Sequence, residues 1–445
     1  MSDYDVVIAG GGMVGATLAN LLAVALPELR FAVVEGRQPE SMPAADAEWS
    51  NRVSAVSGAS RHILHAAGAW QGIDSARLSP YRRMVVWDSS GAADSESSLR
   101  FDSAELGVSE LGHIVENRSI QAGLFGALAR CSQIEWLCPD RVEAFDAEAS
   151  QVIVSLARNN TISTRLLVGA DGANSSVRRI AGIEVRQHDY HQHALVATVA
   201  TERDHGQTAW QRFLPEGPLA FLPLADGRCS IVWSTTPAAA QSLLQCSEEE
   251  FIAALQKASD SILGSIVGVS NRASFPLRAL HARRYTGKRL ALIGDAAHAV
   301  HPMAGQGVNL GFLDAAALAE VLAESLERGG DPGDSRPLRR YERWRKGENL
   351  AMAGSIDLLH RLFSAQAKPL GRLRATGLGL VDKSALIKRF FMLRATGVGG
   401  DLPSWARNDP GADDRVRTGR GNGVNSSLTD NQSRSGETMP PNRLD

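Results

Sequence analysis

Three glycines and an acid near the N-terminus have the types and spacing to bind a nucleotide. Gly10, Gly12 and Gly15 follow a short apolar run, and Glu35 lies 20 residues beyond the last glycine. Such glycines allow a tight turn and a close backbone approach to a pyrophosphate, and the acid can reach a ribose hydroxyl. A helix that begins there directs unpaired N–H groups at the phosphates. The spacing predicts a dinucleotide site; a glycine turn without a ligand is the alternative.

A second glycine turn follows much later in the chain, after a buried-strand run that ends in Gly294-Asp295. Asp295 can accept a hydrogen bond from a sugar hydroxyl. Amides at the start of the next helix can stabilise negative charge on the N1–C2=O edge of a flavin. Because the first turn already accounts for one pyrophosphate, FAD explains both turns better than a nicotinamide dinucleotide does. The residues of this second turn are Gly305, Gln306, Gly307, Val308 and Asn309.

Two further sets of residues leave alternatives open. Arg52 either contacts a phosphate or a ring edge, or is a surface arginine at the entry of a helix. His188, His191 and His193 are close enough in sequence to suggest a metal site. Histidines that line a strand or lie on the surface are the favoured interpretation, so no metal is predicted.

Apolar runs and glycine turns predict the elements that position these residues. Strands at 5–9, 31–34, 166–170 and 289–293 alternate with helices, which is typical of a parallel sheet. Short alternating segments, such as 194–200, predict an antiparallel sheet elsewhere. Helices are predicted at 118–131, 248–258, 308–326 and 337–363. The predicted fold is α/β: a Rossmann-like FAD-binding domain with an inserted antiparallel-sheet substrate domain and a helical C-terminal segment. The predicted boundaries are 1–80, 111–182 and 276–345 for the FAD-binding domain, 81–110 and 183–275 for the sheet domain, 346–400 for a helical basic segment, and 401–445 for a disordered tail.

Composition excludes several classes of protein. The chain has 445 residues, 44% apolar and 22% charged, with a formal net charge of −2. These values are ordinary for a soluble globular protein and argue against nucleic-acid binding. Four cysteines lack paired spacing, so neither a disulfide nor a metal is indicated. No run is long and apolar enough for a membrane span, and the glycine turn comes too early for a secretory signal, so we expect a cytoplasmic protein.

The segment 361–400 is rich in basic residues interleaved with leucines and phenylalanines, with Asp382 as its single acid. Such a segment can lie on an anionic membrane or a partner, as a peripheral contact at the inner face of the membrane. A terminal helical cap with a solvated basic face is the equally weighted alternative.

Three ordered motifs carry a resemblance to a known family. They are the first turn with Glu35, the stretch from Gly169 through Asp171-Gly172 to Arg178, and the stretch from Ile293 to Gly311. Together they resemble the signatures of the single-component aromatic flavin hydroxylases, the para-hydroxybenzoate hydroxylase class. Shorter stretches, including Leu111 to Asn117 and Leu338 to Glu342, are similar to the ubiquinone-biosynthesis hydroxylases, nearest to the 2-polyprenylphenol hydroxylases.

This resemblance implies an FAD-dependent monooxygenase. NAD(P)H reduces FAD, O2 forms a C4a-hydroperoxide, and one oxygen atom hydroxylates a polyprenylated phenol. It also implies that Asp171 serves the FAD and NAD(P)H sites, that Arg52 contacts FAD or the site entrance, and, more weakly, that Arg118 binds FAD. No catalytic residue is identified. His113, His298 and His301 could favour a phenolate, but the last two are better explained as anchors of the loop before Gly305.

An insoluble substrate implies transfer from a bilayer or from a complex of ubiquinone biosynthesis. Two other functions use the same scaffold: an epoxidase or isoprenoid reductase, and a non-catalytic FAD-fold assembly subunit. A reductase would consume no oxygen, and an assembly subunit would have no need of the second glycine turn.

Overall fold

A parallel sheet organises the molecule, as the buried-strand runs predict. The computed structural model describes residues 2–44, 46–96, 98–158, 160–301, 307–364, 397 and 399–407, with 358–364 described as backbone only. The predictions for Gly305 and Gln306, for most of the basic segment 361–400 and for nearly all of the tail lie outside these residues.

The helices and strands of the described residues are numbered in chain order. The helices are α1 (Met13–Ala25), α2 (Gly58–Ala66), α3 (Asn117–Leu128), α4 (Ser176–Ile180), α5 (Pro237–Gln245), α6 (Glu248–Ser259), α7 (Gly307–Glu327) and α8 (Ser335–Ser364). The strands are β1 (Tyr4–Ala9), β2 (Phe31–Val34), β3 (Val53–Ser57), β4 (Ser79–Tyr81), β5 (Arg83–Asp88), β6 (Leu99–Asp102), β7 (Gly112–Glu116), β8 (Ile134–Leu137), β9 (Val142–Ala147), β10 (Val152–Leu156), β11 (Thr161–Gly169), β12 (Val185–Thr201), β13 (Thr208–Leu214), β14 (Gly217–Pro223), β15 (Cys229–Thr235), β16 (Ile266–Val269), β17 (Ala273–Ala282), β18 (Thr286–Gly287), β19 (Leu290–Leu292) and β20 (His298–Ala299).

The first sheet has the strand order β18-β19-β11-β1-β2-β8, with the β9–β10 hairpin attached to β11. Strands β19, β11, β1, β2 and β8 run parallel to one another. Val6, Val7 and Ile8 of β1 are fully buried, as expected for a central strand covered on both faces. Since the carboxyl ends of parallel strands meet at one edge, all three sequence motifs end at the same edge of this sheet.

Helices α1 and α7 cover this sheet and pack against each other. Both are apolar around most of their circumference and are buried over most of their length. The sequence predicted α3, α6, α7 and α8 at 118–131, 248–258, 308–326 and 337–363, and all four are confirmed within a few residues.

The second sheet has the order β20-β17-β12-β15-β14-β13-β5-β6, with β16 beside β12. Its pairs are antiparallel except that of β13 with β5. The antiparallel sheet is thus confirmed, but β12 is far longer than the strand predicted at 194–200. Helix α5 was not predicted at all. The sheet also continues beyond residue 275, because β17 ends at Ala282 and pairs with β20.

A small third sheet joins the two larger ones, and the C-terminal part of the described chain packs beside them. The third sheet has the order β3-β7-β4. Residues 399–407 pack against α2, α7 and α8: Trp344 donates to the carbonyl of Asp401 at 2.9 Å, and Ala406 is buried. Ordered chain therefore continues past residue 400, the predicted start of the tail. Within the described residues, no helix has the length and apolarity needed to cross a membrane.

Candidate functional site

The first glycine turn is built by close backbone contacts. Gly10 has a φ of +101°, and a Cβ there would lie 2.4 Å from the carbonyl oxygen of Ala170. A Cβ at Gly15 would lie 1.9 Å from the carbonyl oxygen of Gly10. Gly12, in contrast, faces open space, and as the N-cap of α1 it has no side-chain cap. The unpaired N–H groups of α1 therefore border space in which an anion fits.

Glu35 lies beside this turn, at the end of β2. Its carboxylate accepts hydrogen bonds from the backbone N–H groups of Gly11 at 2.7 Å and Arg37 at 3.0 Å. Each carboxylate oxygen has a second lone pair, so Glu35 can still accept from a sugar hydroxyl. The acid and the turn are thus adjacent, as the spacing predicts.

Asp171 shapes the loop that contacts Gly10. Its carboxylate accepts from the Ser175 hydroxyl at 2.5 Å, from the Ser176 N–H at 2.7 Å and hydroxyl at 2.9 Å, and from the Val177 N–H at 3.1 Å. These bonds cap α4. The buried guanidinium of Arg178 then donates to the carbonyl of Ala296 at 2.8 Å, which links this loop to the second turn. Asp171 acts here through the backbone that it holds.

The second turn rests on a buried ionic network. The Asp314 carboxylate accepts from the Gly294 N–H at 3.1 Å, contacts His298 Nε2 at 2.5 Å and Arg345 Nε at 2.8 Å, and accepts from Asn349 Nδ2 at 3.1 Å. Burial alone would raise the pKa of Asp314, but the attraction of His298 and the hydrogen bonds from His298 and Arg345 outweigh it and lower the pKa to about 2. This carboxylate fixes the turn that carries Asp295.

Asp295 reaches open space although protein surrounds it on most sides, and this burial raises its pKa. It lies at the end of β19, next to β11. Asp295 is therefore exposed at the sheet edge where the motifs end, and a ligand hydroxyl can reach it there.

The two turns meet at Val14. A Cβ at Gly311 would lie 2.5 Å from Val14 Cγ2, and one at Gly294 would lie 3.2 Å from Val14 Cγ1. Gly307 begins α7 four residues before Gly311, about 6 Å along the helix axis, and faces open space. The N-termini of α1 and α7 therefore lie side by side at one sheet edge. This geometry fits a single extended dinucleotide such as FAD.

The first turn of α7 is anchored to β3 by the side chain of Asn309. Asn309 Nδ2 donates to the carbonyl of Ala55 at 2.8 Å, and its Oδ1 accepts from the Ser57 N–H at 3.1 Å. Val308 is half-buried. The side chain of Asn309 thus fastens α7 to β3.

The two arginines of the prediction lie on the margins of the site. The exposed guanidinium of Arg52 stacks on the ring of Phe275 in β17, 4.7 Å from its centroid. Arg118 pairs with Glu116 at 2.9 Å and donates to the carbonyl of Glu48. Glu116 also pairs with the fully buried Arg77 at 2.6 Å. These charges hold Glu48 and Ser50 in the preceding loop, and whether either arginine touches FAD stays a prediction.

The three candidate histidines, His113, His298 and His301, are packed against or paired with other side chains. His298 is held by Asp314, and His301 is fully buried with Nε2 3.3 Å from Gln192 Oε1. Both agree with the interpretation as loop anchors. His113 packs edge-on against Trp70, and burial lowers its pKa. Among the residues with described placement, no cluster of metal-ligating side chains occurs, at His188, His191 and His193 or elsewhere.

Sequence reasoning missed the supports of the second turn. Asp314, Arg345 and Asn349 are each no more than 2% exposed. One signal was available: Asp314 is a lone charge in the apolar stretch from Leu310 to Leu318. A charged side chain that is buried together with its helix requires a partner of opposite charge or a hydrogen-bond donor. The identity of that partner is not readable from the pattern, because Arg345 is far away in sequence.

Comparisons with known proteins agree with this geometry. The family described as "FAD binding domain" matches residues 117–350. The 3-demethoxyubiquinol 3-hydroxylase of Escherichia coli (strain K12) is 36% identical over 394 residues, covering 88% of this chain and 98% of the relative. The ubiquinone biosynthesis monooxygenase COQ6, mitochondrial, of Homo sapiens is 36% identical over 442 residues, covering 88% of this chain and 92% of the relative.

Solved structures show the same fold. The p-nitrophenol 4-monooxygenase PnpA from Pseudomonas putida DLL-E4 superimposes with a TM-score of 0.71 at 20% identity, covering 89% of this chain and 99% of that chain. PqsL, described as a probable FAD-dependent monooxygenase from Pseudomonas aeruginosa, gives 0.70 at 25% identity, covering 84% and 99%. The α/β fold predicted from the sequence is thereby confirmed.

Proposed function

This chain belongs to the FAD-dependent hydroxylases of ubiquinone biosynthesis, and we propose that its substrate is a polyprenylated phenol that it hydroxylates on the ring. In this reaction one atom of O2 enters an aromatic C–H bond, the other leaves as water, and NAD(P)H supplies the two electrons. The observation that carries the proposal is the convergence of the α1 and α7 N-termini around Val14.

The chain's own groups would hold FAD at three points. The N–H groups at the start of α1 would bind the pyrophosphate, and Glu35 would accept from the ribose. Asp295 would accept from a hydroxyl of the sugar chain. The N–H groups at Gly307 to Asn309 would stabilise negative charge at the ring edge, as a preorganised oxyanion site does. When bound, FAD supplies the redox and oxygen chemistry.

The chain has no second glycine fingerprint for NAD(P)H, so this reductant would dock transiently. A groove beside the Asp171 loop is lined by Asn174, Arg178, Arg179 and Val185, among others. Arg179 is exposed there and can meet a phosphate. The groove adjoins the loop that contacts Gly10, which would bring the reductant close to the FAD site.

The insoluble substrate requires a route from a bilayer or a biosynthetic complex. The basic segment 361–400 would provide that contact, with its positive charges facing anionic lipid headgroups. Helix α8 leads directly into this segment. This contact would be the peripheral membrane association, one of the two equally weighted interpretations of the segment.

The test is coupled consumption of NADPH and O2 by the purified holoenzyme with a short-chain polyprenylphenol. We expect consumption in equal amounts only when the phenol is present, and one atom of isotopically labelled O2 in the product. NADPH oxidation without oxygen uptake would indicate a reductase instead. Protein that stays colourless after incubation with FAD would indicate an assembly subunit. Either result would contradict the proposal.

A further inference from the structure

The second sheet presents two different faces. On the outer face, side chains of β12 to β15 pack with α5 and α6 into a core that includes Leu195, Phe221 and Ile231. Because side chains alternate along a strand, the intervening residues point the other way, toward α8 and the third sheet. We call this side the inner face.

One row of residues crosses the middle of the inner face. In the strand register, Gln211 lies opposite Val86 of β5 and Ala220 of β14, and the row continues through Val232 and Val196. The assignment to this face agrees with the neighbours of Gln211, since Trp210 and Arg212 contact the outer face and α6. Gln211 is the one polar side chain among these five.

Open space lies over the middle of this row. Ala220 and Val232 are only half-buried although they lie on central strands. Their counterparts on the outer face, Leu219 and Ile231, are fully buried. Because these two residues keep accessible surface, the inner face is left partly uncovered at Ala220 and Val232, next to Gln211.

Elements of the FAD site border this space on both sides. In the next row, Phe213 packs in one cluster with Val300, which precedes the second glycine turn. In the row on the other side, Leu222 packs in one cluster with Val53 and Ala55 of β3, the strand that Asn309 holds. The space thus opens toward the start of α7, where the ring of the cofactor would lie.

Within the part of the chain that the structure describes, the side-chain amide of Gln211 has no hydrogen-bond partner. The residue is 7% exposed, and none of the hydrogen bonds among the described residues involves its side chain. Thr198 and Ser230, on the same face, also have unpartnered hydroxyl oxygens, but those atoms are sealed from solvent, whereas the Gln211 amide is not. A buried polar group without a partner is costly, so an amide that borders a cavity is suited to a ligand.

We propose that Gln211 binds the phenolic hydroxyl of the substrate and thereby orients the ring toward the cofactor, an inference that rests on the proposed function. The Gln211 side-chain carbonyl accepts a hydrogen bond from the phenolic hydroxyl, and its N–H can donate to the oxygen as negative charge develops there. The valines and Ala220 of the same row contact the apolar ring. Gln211 is therefore a specificity-determining residue.

The test compares two ligands on the oxidised holoenzyme without reductant, so that no turnover occurs. The probes are 2-geranylphenol and geranylbenzene, which lacks the hydroxyl, and binding is measured by the change in flavin absorbance. We expect the wild type to bind the phenol about three- to tenfold more tightly, the range of one net hydrogen bond. Gln211→Leu should abolish this preference, and Gln211→Met serves as a second apolar variant of similar length.

Thr198→Val is the matched control, because it removes a sealed hydroxyl from the same face without changing its shape. It should keep the wild-type preference for the phenol. Gln211 variants that bind FAD and retain the full preference would overturn the role of Gln211 but would leave the proposed function standing. A wild type that binds neither ligand, or both equally, would overturn the proposed substrate class and this inference with it.

Discussion

The two turns that meet at Val14 are supported in different ways. The first is held by backbone contacts: Gly10 touches Ala170, and Gly15 touches Gly10. The second is held by side chains, because the Gly294 N–H is bound by a carboxylate that Arg345 and His298 keep charged. The first turn thus depends on glycines, which have no side-chain atoms, and the second depends on charged side chains.

This difference explains which parts of the site a sequence can reveal. Steric support needs glycines at fixed local spacing, and that spacing is visible in a short stretch. Ionic support needs partners that the fold brings together, such as Asp314 on α7 and Arg345 on α8. Both turns end in a helix N-terminus that faces the same space. The contrast leads us to expect different consequences when each support is removed.

The largest effect should come from Asp314→Asn. The variant leaves Arg345 buried without a counter-charge, so we expect the free energy of unfolding to fall by about 3–5 kcal/mol. Urea unfolding of the apoprotein measures this loss. Glu327→Gln makes the same charge change at an exposed position of α7 and should alter stability by less than about 0.5 kcal/mol. Equal stabilities of the two variants would show that the network does not support the turn.

A smaller loss is expected for Gly15→Ala. Its Cβ would lie 1.9 Å from the Gly10 carbonyl oxygen, and relieving that overlap should cost about 1–3 kcal/mol of apoprotein stability. Gly12→Ala is the matched control, since its Cβ meets open space. Gly12→Ala should leave apoprotein stability nearly unchanged but weaken FAD binding, measured by titration with FAD. Wild-type affinity in Gly12→Ala would mean that no pyrophosphate lies against this turn.

The smallest effect is expected for Glu35→Gln. Glutamine keeps the shape but loses the charge, and its NH2 group would face an N–H of Gly11 or Arg37. We expect the FAD dissociation constant to rise about three- to tenfold, by fluorescence titration. Glu40→Gln, exposed in the following loop, should not change it. If both variants bind FAD alike, Glu35 does not contact the ribose.

Much of the fold was predictable because its signals are local. Helix α7 was predicted from Val308 to Leu326 and is observed from Gly307–Glu327, since a glycine turn and a long apolar stretch mark it. Helix α5 was missed although Thr236 and Pro237 form a helix start: the Thr236 hydroxyl accepts from the Ala239 N–H. That signal was readable and was overlooked among the surrounding strands.

Other features could not be read from the sequence. The first half of β12 is polar and contains the bulge between Asp189 and Gln192, so it lacks the alternation expected of a strand. Its pairing with β17 extends it. The role of Gln211 depends likewise on register, because only the pairing of β13 with β5 and β14 shows that its neighbours are apolar. Long-range pairing, rather than local propensity, decides both cases.

The most direct test of the central claim is a crystal structure of the protein with FAD at saturating concentration. We expect one FAD per chain, with its pyrophosphate at the N–H groups that follow Gly12 and its ring edge at the N–H groups of Gly307 to Asn309. FAD that contacts one of these helix N-termini and leaves the other unoccupied would contradict the account.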